Sequence, residues 1–167
     1  MLMNIDFANT NHINYIMKLA KRNNYYQLEL LCSIKEFYET KDKFKDTDFK
    51  GLFYIDNKKV VGFIIYQFIY KVYIKVDFML IDKDFQNKGY GKQLINKIID
   101  IKPSFIVVEC EENTKNYYIN KCDFFEITKK NFKDLHTISE NEILCHIDFI
   151  KRINNNYNKF YYVYKSF

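Results

Sequence analysis

The chain has 167 residues, of which 48% are hydrophobic and 28% are charged, and its formal net charge is +5. This length and composition predict one folded globular domain and exclude a disordered chain. The modest positive charge is too weak and too dispersed to indicate a nucleic-acid-binding protein, but it suits a polyanionic ligand.

The four cysteines show no C-x-x-C spacing, and the three histidines do not cluster with them at metal-ligand spacing. We therefore expect reduced thiols, no metal site and a cytoplasmic location. We see no signal peptide. The longest apolar run, Val60–Tyr70, is too short to span a bilayer and is interrupted by Gln67, so we expect no membrane association.

The first third of the chain predicts a short strand and two helices. Residues 4–8 alternate like a strand, and Thr10 or Asn11 can cap the helix that follows. Apolar residues recur at helical spacing at Ile13, Ile16, Met17 and Ala20. A second helix is predicted over about 26–38.

Three consecutive strands come next. Residues 51–55 and 59–66 predict two strands that are joined by a hairpin turn at 56–58. A third strand, over 72–81, is apolar, β-branched or aromatic at most positions, which is typical of a buried strand. We expect this third strand to be the central one of an antiparallel set.

A glycine-rich turn directly follows the central strand, in the segment Gln86-Asn87-Lys88-Gly89-Tyr90-Gly91. The apolar stripe after it predicts a helix over 91–101. A helix N-terminus presents unpaired N–H groups and partial positive charge, so it binds phosphate. Gly89 and Gly91 lack a Cβ and permit positive φ, which leaves those N–H groups accessible. The pattern indicates an anion-binding turn.

Two common phosphate-binding motifs do not fit this turn. A Walker loop requires Ser or Thr after Gly-Lys, whereas Gly91-Lys92 is followed by Gln93. A dinucleotide fingerprint requires a third glycine where Leu94 stands. The pattern Gln86-x-x-Gly89-x-Gly91, placed between a strand and a helix, does resemble the acetyl-coenzyme A loop of the GNAT superfamily of N-acyltransferases. The Val-x-Gly-Phe sequence at 60–63 is similar to a strand of the same family.

Downstream of the turn, the helix is expected to end before Pro103, and Phe105–Glu109 predicts a buried strand parallel to the central one. In the GNAT family an Asn-x-x-Ala, a Phe-Tyr and a Gly-Phe follow. This chain keeps Asn113, the pair Tyr117-Tyr118 and Phe124, but it has Asn and Asp where the family has Ala and Gly, and the segment is one residue short.

The last part of the chain predicts a strand over 124–128, a helix over about 140–154 and a final strand over 160–164. The resemblance implies a mixed α/β fold: a mainly antiparallel central sheet of about six to seven strands, flanked by helices, with one splayed parallel strand pair. We expect a single acyltransferase domain over 1–167, with a helical insertion at about 131–157.

The resemblance also implies a function. It predicts an N-acetyltransferase that moves an acetyl group from acetyl-coenzyme A to a primary amine by direct attack in a ternary complex. The pyrophosphate would lie on the N–H groups of 87–92, and pantetheine would run along the central strand. The implied cofactor-binding residues are Leu80, Ile81, Gln86, Asn87, Lys88, Gly89, Tyr90, Gly91, Lys92 and Asn113.

Two carboxylates and two neighbouring tyrosines are candidates for proton transfer. A carboxylate can take the proton of the attacking amine, and Asp77 and Glu109 are the candidate bases. Strand alternation places Asp77 on the side of Met79 and Ile81. The resemblance makes Tyr118 the acid for the leaving thiolate, with Tyr117 as the register-shifted alternative.

The acceptor stays open at this point. It could be a small amine, a protein amine or an aminoacyl group on tRNA; an acidic cleft around Asp77, Glu109 and Glu111 would suit a polyamine, and a basic one RNA. A catalytically inactive GNAT-like sensing or interaction module is the alternative function. A nucleic-acid-binding protein of unrelated fold is a third, disfavoured hypothesis. We expect a monomer or a homodimer.

Overall fold

The structure is a computed structural model, and it describes residues 1–25, 30, 32, 47–69, 73–126 and 160–166. The strands within these residues are β1 (Leu2–Asn4), β2 (Thr47–Asp56), β3 (Lys59–Ile69), β4 (Tyr73–Ile81), β5 (Phe105–Glu111), β6 (Phe125–Glu126) and β7 (Phe160–Ser166). The helices with described bounds are α1 (Thr10–Arg22), α2 (Tyr90–Ile99) and α3 (Glu112–Cys122). A 3₁₀ turn, Lys83–Phe85, follows β4.

The strands form one sheet in the order β1-β2-β3-β4-β5-β7-β6. Strands β4 and β5 are parallel, and the other neighbours are antiparallel. The helix α2 connects the two parallel strands, because a parallel pair needs a crossover connection. The predicted mixed, mainly antiparallel sheet with one parallel pair is confirmed.

The hairpin between β2 and β3 forms where it was predicted. Asn57 and Lys58 both have positive φ, 46° and 64°, which matches the right-handed twist of the two strands they join. The long β2–β3–β4 meander that follows makes β4 the middle strand of the sheet.

Helices cover both faces of the sheet. Helix α1 packs on one face through Ile16, Leu19 and Ala20, all buried. Helices α2 and α3 cover the other face, with a core of buried residues that includes Leu94, Ile95, Ile98, Tyr118 and Phe124. Each fully buried Leu or Ile side chain contributes about 1.5–3 kcal/mol, so the two apolar layers fix the sheet between the helices.

The N-terminus differs from the prediction. The strand expected at 4–8 lies earlier, at Leu2–Asn4. The Asp6 carboxylate accepts a hydrogen bond from the Ala8 N–H, which turns the chain instead of extending it. Asn9, rather than Thr10 or Asn11, caps α1 by accepting from the Asn11 N–H.

Other predicted elements are confirmed or lie outside the described residues. The final strand is present as β7, and it ends two residues later than the expected 160–164. The described part of the strand expected at 124–128 is β6. Of the helix predicted at 26–38, residues 30 and 32 are described, and both are helical. The helix predicted at 140–154 and the insertion at 131–157 lie outside the described residues. Within the described residues, no helix is long and apolar enough to cross a membrane.

Candidate active site

The site begins at a bulge in β4. Ile65 of β3 pairs with Phe78, whereas the next residue, Tyr66, pairs with Val76, so Asp77 is an extra residue in β4. The parallel ladder between β4 and β5 ends at the pair Val76–Val108, and both strands continue beyond it without pairing with each other. The bulge therefore marks the point where the two strands splay apart.

Because of the bulge, Asp77 lies on the opposite face of the sheet from the one that the sequence predicted. Strict alternation would put Asp77 beside Met79 and Ile81, but those two side chains pack on the α2–α3 side of the sheet. The Asp77 carboxylate instead accepts a hydrogen bond from Gln67, which shares the α1 side with Ile65. An extra residue in a strand reverses the alternation beyond it, and no pattern in the sequence reveals it.

The second part of the site is the N-terminus of α2. Its cap residue, Gly89, makes no side-chain capping bond, and the first main-chain bond of the helix runs from the Gln93 N–H to the Gly89 carbonyl at 3.1 Å. The N–H groups of Tyr90, Gly91 and Lys92 therefore meet no acceptor in the described part of the chain. They form the anion-binding turn that the sequence predicts.

The two glycines have different roles. Gly89 has φ of +80°, a left-handed conformation that favours glycine, and a Cβ there would meet nothing within 4 Å. Gly91 is helical, and a Cβ there would lie 2.5 Å from the Tyr117 hydroxyl oxygen. Gly89 adopts the positive φ that glycine permits, whereas Gly91 does not, and the missing Cβ of Gly91 allows close packing of α2 against α3.

A single cavity of about 1240 Å³ joins the splayed strands to the N-terminus of α2. Of the predicted site residues, all but one line it: Asp77, Leu80, Ile81, Gln86, Asn87, Gly89, Tyr90, Gly91, Lys92, Glu109, Asn113 and Tyr118. The exception is Lys88, whose ammonium lies 4.7 Å from the ring centroid of Phe85. The structure thus brings together the residues that the sequence assigned separately to cofactor and catalysis.

The open edge of β4 favours Met79 over Leu80 as a main-chain partner. The Asp82 N–H donates to the Val61 carbonyl of β3 at 2.8 Å. Main-chain groups alternate in direction along an antiparallel strand, so those of Leu80 also point towards β3. Those of Met79 and Ile81 point towards the cavity, and the Ile81 carbonyl accepts a hydrogen bond from the Gln86 side chain. This orientation indicates Met79 and Ile81 as the main-chain contacts, in place of the Leu80 and Ile81 that the resemblance implies.

Asp77 is already paired. Its Oδ1 lies 2.8 Å from the Lys75 ammonium, its Oδ2 accepts from Gln67 at 2.9 Å, and its side chain is only 8% exposed. Glu109 lies across the splay on β5. Its neighbours Val108 and Cys110 belong to the α2–α3 core, so Glu109 points to the α1 side, as Asp77 does. Glu109 is partly exposed and lines the cavity.

The two tyrosines of α3 occupy different environments. Burial, with smaller effects of Cys110 and Tyr25, holds the pKa of Tyr118 well above its usual value. The Tyr117 hydroxyl is also buried, and it has no hydrogen-bond partner among the described residues; burial and the neighbouring Cys122 raise its pKa. Both tyrosines line the cavity; the Tyr117 hydroxyl is directed at Gly91, and Tyr118 lies near Tyr25 and Cys110.

Helix α1 is tied to the turn after β4. Arg22 Nη1 lies 2.9 Å from Oδ2 of the fully buried Asp82, an ion pair without hydrogen-bond geometry, and Arg22 also pairs with Asp84. The Lys83 N–H donates to the Asn23 side chain at 2.8 Å. These contacts hold the segment Asn23–Tyr25 at the cavity wall.

Several lining residues were missed by the sequence reasoning: Asn23, Asn24, Tyr25, Lys75, Met79, Asn120 and Lys121. A signal existed for Lys75, because a lysine two residues before Asp77 in a buried strand lies on the same face. For the segment Asn23–Tyr25 there was none, since its position depends on tertiary contacts of Arg22 and Asn23.

Comparison with known proteins agrees with this geometry. A sequence profile described as the acetyltransferase (GNAT) family matches residues 13–124. No match is found among curated protein sequences. Among solved structures, the chain is similar to a GNAT-family acetyltransferase from Staphylococcus aureus Mu50, with 14% identity, 99% of each chain covered and a TM-score of 0.62.

Two further structures show the same fold. The N-acetyltransferase PseH of Campylobacter jejuni, solved in complex with acetyl coenzyme A, has 14% identity, 99% of each chain covered and a TM-score of 0.56. An aminoglycoside 6'-acetyltransferase of type Ii has 11% identity, covers 99% of this chain and 96% of its own, and has a TM-score of 0.62.

The fold and the site define an acyl-coenzyme A-dependent N-acyltransferase. Because the profile spans more than half of the sequence, the chain belongs to the acetyltransferase (GNAT) family, and acetyl-coenzyme A is its co-substrate.

Proposed function

We propose that the protein transfers the acetyl group of acetyl-coenzyme A directly to a primary amine while both substrates are bound. One observation carries this proposal: the groove between β4 and β5 opens at the Asp77 bulge and leads to the uncapped N-terminus of α2. A groove with main-chain donors at its end fits an extended molecule that carries a diphosphate.

The residues present fit the co-substrate. The N–H groups of Tyr90, Gly91 and Lys92 would hold the pyrophosphate, and the Lys92 ammonium adds positive charge at the cavity wall. The main-chain groups of Met79 and Ile81 would pair with the amides of pantetheine, in the way that a strand would. Bound acetyl-coenzyme A supplies an activated thioester carbonyl.

A main-chain N–H group on β4 would also stabilise the negative charge that develops during the reaction. The amine nitrogen forms a bond to the thioester carbon, and negative charge develops on the carbonyl oxygen. An N–H from Met79, which points into the cavity, would stabilise that charge by about 3 kcal/mol. As the tetrahedral species collapses, the carbon–sulfur bond breaks and the thiolate leaves.

Glu109 and Tyr118 are the residues that we assign to proton transfer. Glu109 takes the proton of the attacking amine, because it is partly exposed in the cavity, whereas both oxygens of Asp77 already accept hydrogen bonds. Tyr118 gives its proton to the leaving sulfur. A tyrosine hydroxyl is protonated at neutral pH, and burial raises the pKa of Tyr118 further, so its proton is present when the thiolate leaves.

Two alternative functions were considered: a non-catalytic module and a nucleic-acid-binding protein of unrelated fold. The non-catalytic alternative was motivated by the altered tyrosine segment and by the long insertion. Tyr118 nevertheless lines the cavity, and the insertion lies outside the described residues. The reading as a nucleic-acid-binding protein of unrelated fold is excluded by the family. A single domain over 1–167 with an insertion at 131–157 remains a proposal.

The proposed function is tested by calorimetry with acetyl-coenzyme A and by a thiol-release assay over a panel of amines. We expect saturable binding that is lost when Gly91→Leu fills the first turn of α2. Lys97→Met, an exposed change near the other end of α2, is the matched control and should bind normally. Binding by Gly91→Leu at wild-type affinity would contradict the proposal.

A further inference from the structure

We propose that the acceptor is a small amine that carries a carboxylate close to its amino group, as a free amino acid does, and that Lys75 binds this carboxylate. This inference rests on the proposed function, because it names the acceptor class of the same site. It assigns a specificity-determining role to a residue that takes no part in the chemistry.

Lys75 is a cation built into the wall of the cavity. It lies on β4 opposite Val107, two residues before the bulge, and its side chain is 29% exposed. An ammonium group has three N–H donors, and within the described residues Asp77 is the acceptor that Lys75 contacts. Donors therefore remain for an anionic group in the cavity.

Asp77 acts as the counter-ion that positions Lys75. Because Gln67 and Lys75 occupy its two oxygens and its side chain is 8% exposed, Asp77 does not offer a free carboxylate to a substrate amine. The acidic cleft that would suit a polyamine therefore has one available carboxylate fewer. In addition, the second ammonium group of a polyamine would be repelled by the Lys75 ammonium.

The opposite charge lies across the splay. Glu109 on β5 is one same-face step beyond Val107, the partner of Lys75. The two backbones are therefore separated by about 7 Å along the strand and by at least the strand spacing of about 5 Å across it. Their side chains can converge on one small zwitterion, with the amine towards Glu109 and the carboxylate towards Lys75. Tyr25 and Phe78, with ring centroids 6.3 Å apart, add an aromatic wall for an apolar substituent.

The test compares acceptors that differ in one charge. Thiol release at saturating acetyl-coenzyme A is measured with free L-amino acids, with the corresponding amino acid amides and with 1,3-diaminopropane. We expect kcat/KM for an amino acid to exceed that for its amide by about tenfold or more, the size of one charge-assisted hydrogen bond.

Variants of Lys75 separate recognition from folding. Lys75→Gln keeps a donor for Asp77 but loses the charge, and we expect it to raise KM about tenfold for amino acids while KM for the amides changes little. Lys75→Arg should restore most of the preference, and the exposed control Lys97→Gln should behave as wild type. A merely structural role would change both acceptor classes equally.

The outcomes distinguish the two proposals. Failure to bind acetyl-coenzyme A would overturn the proposed function and this inference with it. Binding of acetyl-coenzyme A, combined with faster transfer to amides or to the diamine, or with no transfer to any amino acid, would overturn this inference alone. An equal loss for all acceptors in Lys75→Gln would also overturn it.

Discussion

At the scale of single residues, Gly91 and Tyr117 form one packing unit. A Cβ at position 91 would lie 2.5 Å from the Tyr117 hydroxyl oxygen, so Gly91→Ala forces that ring away from α2. We expect a loss of about 1–3 kcal/mol in the free energy of unfolding, measured by urea denaturation. Tyr117→Phe removes the buried, unpartnered hydroxyl and should recover part of this loss in the double variant. Strictly additive effects would show that the two residues do not touch.

Tyr118 and Tyr117 can be separated by kinetics. Tyr118→Phe removes the proposed acid, so we expect kcat to fall by about 100-fold or more while KM for acetyl-coenzyme A changes little. Tyr117→Phe should keep kcat near the wild-type value. The raised pKa of Tyr118 keeps the acid protonated, so the wild-type kcat should show no alkaline decline below about pH 10. If Tyr117→Phe lowered kcat by this amount and Tyr118→Phe did not, Tyr117 would be the acid instead.

Residues in the glycine turn were predictable because their chemistry is local. A turn that must expose N–H groups needs Gly89, whatever the rest of the fold does. The true reason for Gly91 was not predictable, since it depends on Tyr117, which comes from a different helix.

At the scale of elements, the contact between α1 and the turn after β4 joins the two sides of the site. Arg22→Met would leave the buried Asp82 with the Lys59 ammonium at 3.9 Å as its remaining described ion-pair partner. Because Arg22 itself is 39% exposed, we expect a loss of about 1–3 kcal/mol in the free energy of unfolding rather than the larger cost of a fully buried pair. We also expect a higher KM for acetyl-coenzyme A.

The control for this prediction is Lys97→Met, which breaks an exposed pair with Asp100 and should change neither quantity. Urea denaturation and steady-state kinetics measure the two effects. A loss of stability with an unchanged KM would show that the contact holds α1 without shaping the turn.

Element types were predictable over the meander and the crossover because apolar periodicity is strong there. Strand alternation failed at Asp77, since a bulge is a property of the pairing with β3 and not of β4 alone. The expected main-chain contact at Leu80 came from the family resemblance, and the pairing of β4 with β3 indicates Met79 in its place.

At the scale of the whole molecule, buried neutral acids make the fold sensitive to alkali. Burial raises the pKa of the Cys110 thiol to about 11, from 9.0. The unfolded chain therefore loses this proton first, and the stability that the neutral thiol contributes is complete below pH 9 and is lost as the pH rises to about 11. The same sign holds for Tyr117 and Tyr118 above pH 10.

We expect the free energy of unfolding to fall by up to about 2 kcal/mol over this range on account of Cys110. Urea denaturation at a series of pH values measures the fall, and Cys110→Ala should flatten its first part. A variant of the exposed Cys32 serves as the control. A stability profile that is flat from pH 8 to 11 would contradict the buried, neutral thiol.

The sequence predicted the family, and with it the sheet order around β4 and β5, because the glycine turn and the flanking strand and helix occur together. The acceptor specificity that we propose was not predictable, since it would depend on Lys75, Glu109 and Tyr25, which come from three separate parts of the chain.

The account depends on main-chain N–H groups of α2 and β4 that are directed into the groove. The most direct measurement follows the amide resonances of a ¹⁵N-labelled sample during titration with acetyl-coenzyme A. We predict saturable shifts at Tyr90, Gly91 and Lys92 and at Met79 and Ile81, with smaller shifts at Asn96 and Lys97 at the distal end of α2. Saturable binding that leaves the first five amides unmoved, or no binding at millimolar concentration, would contradict the account.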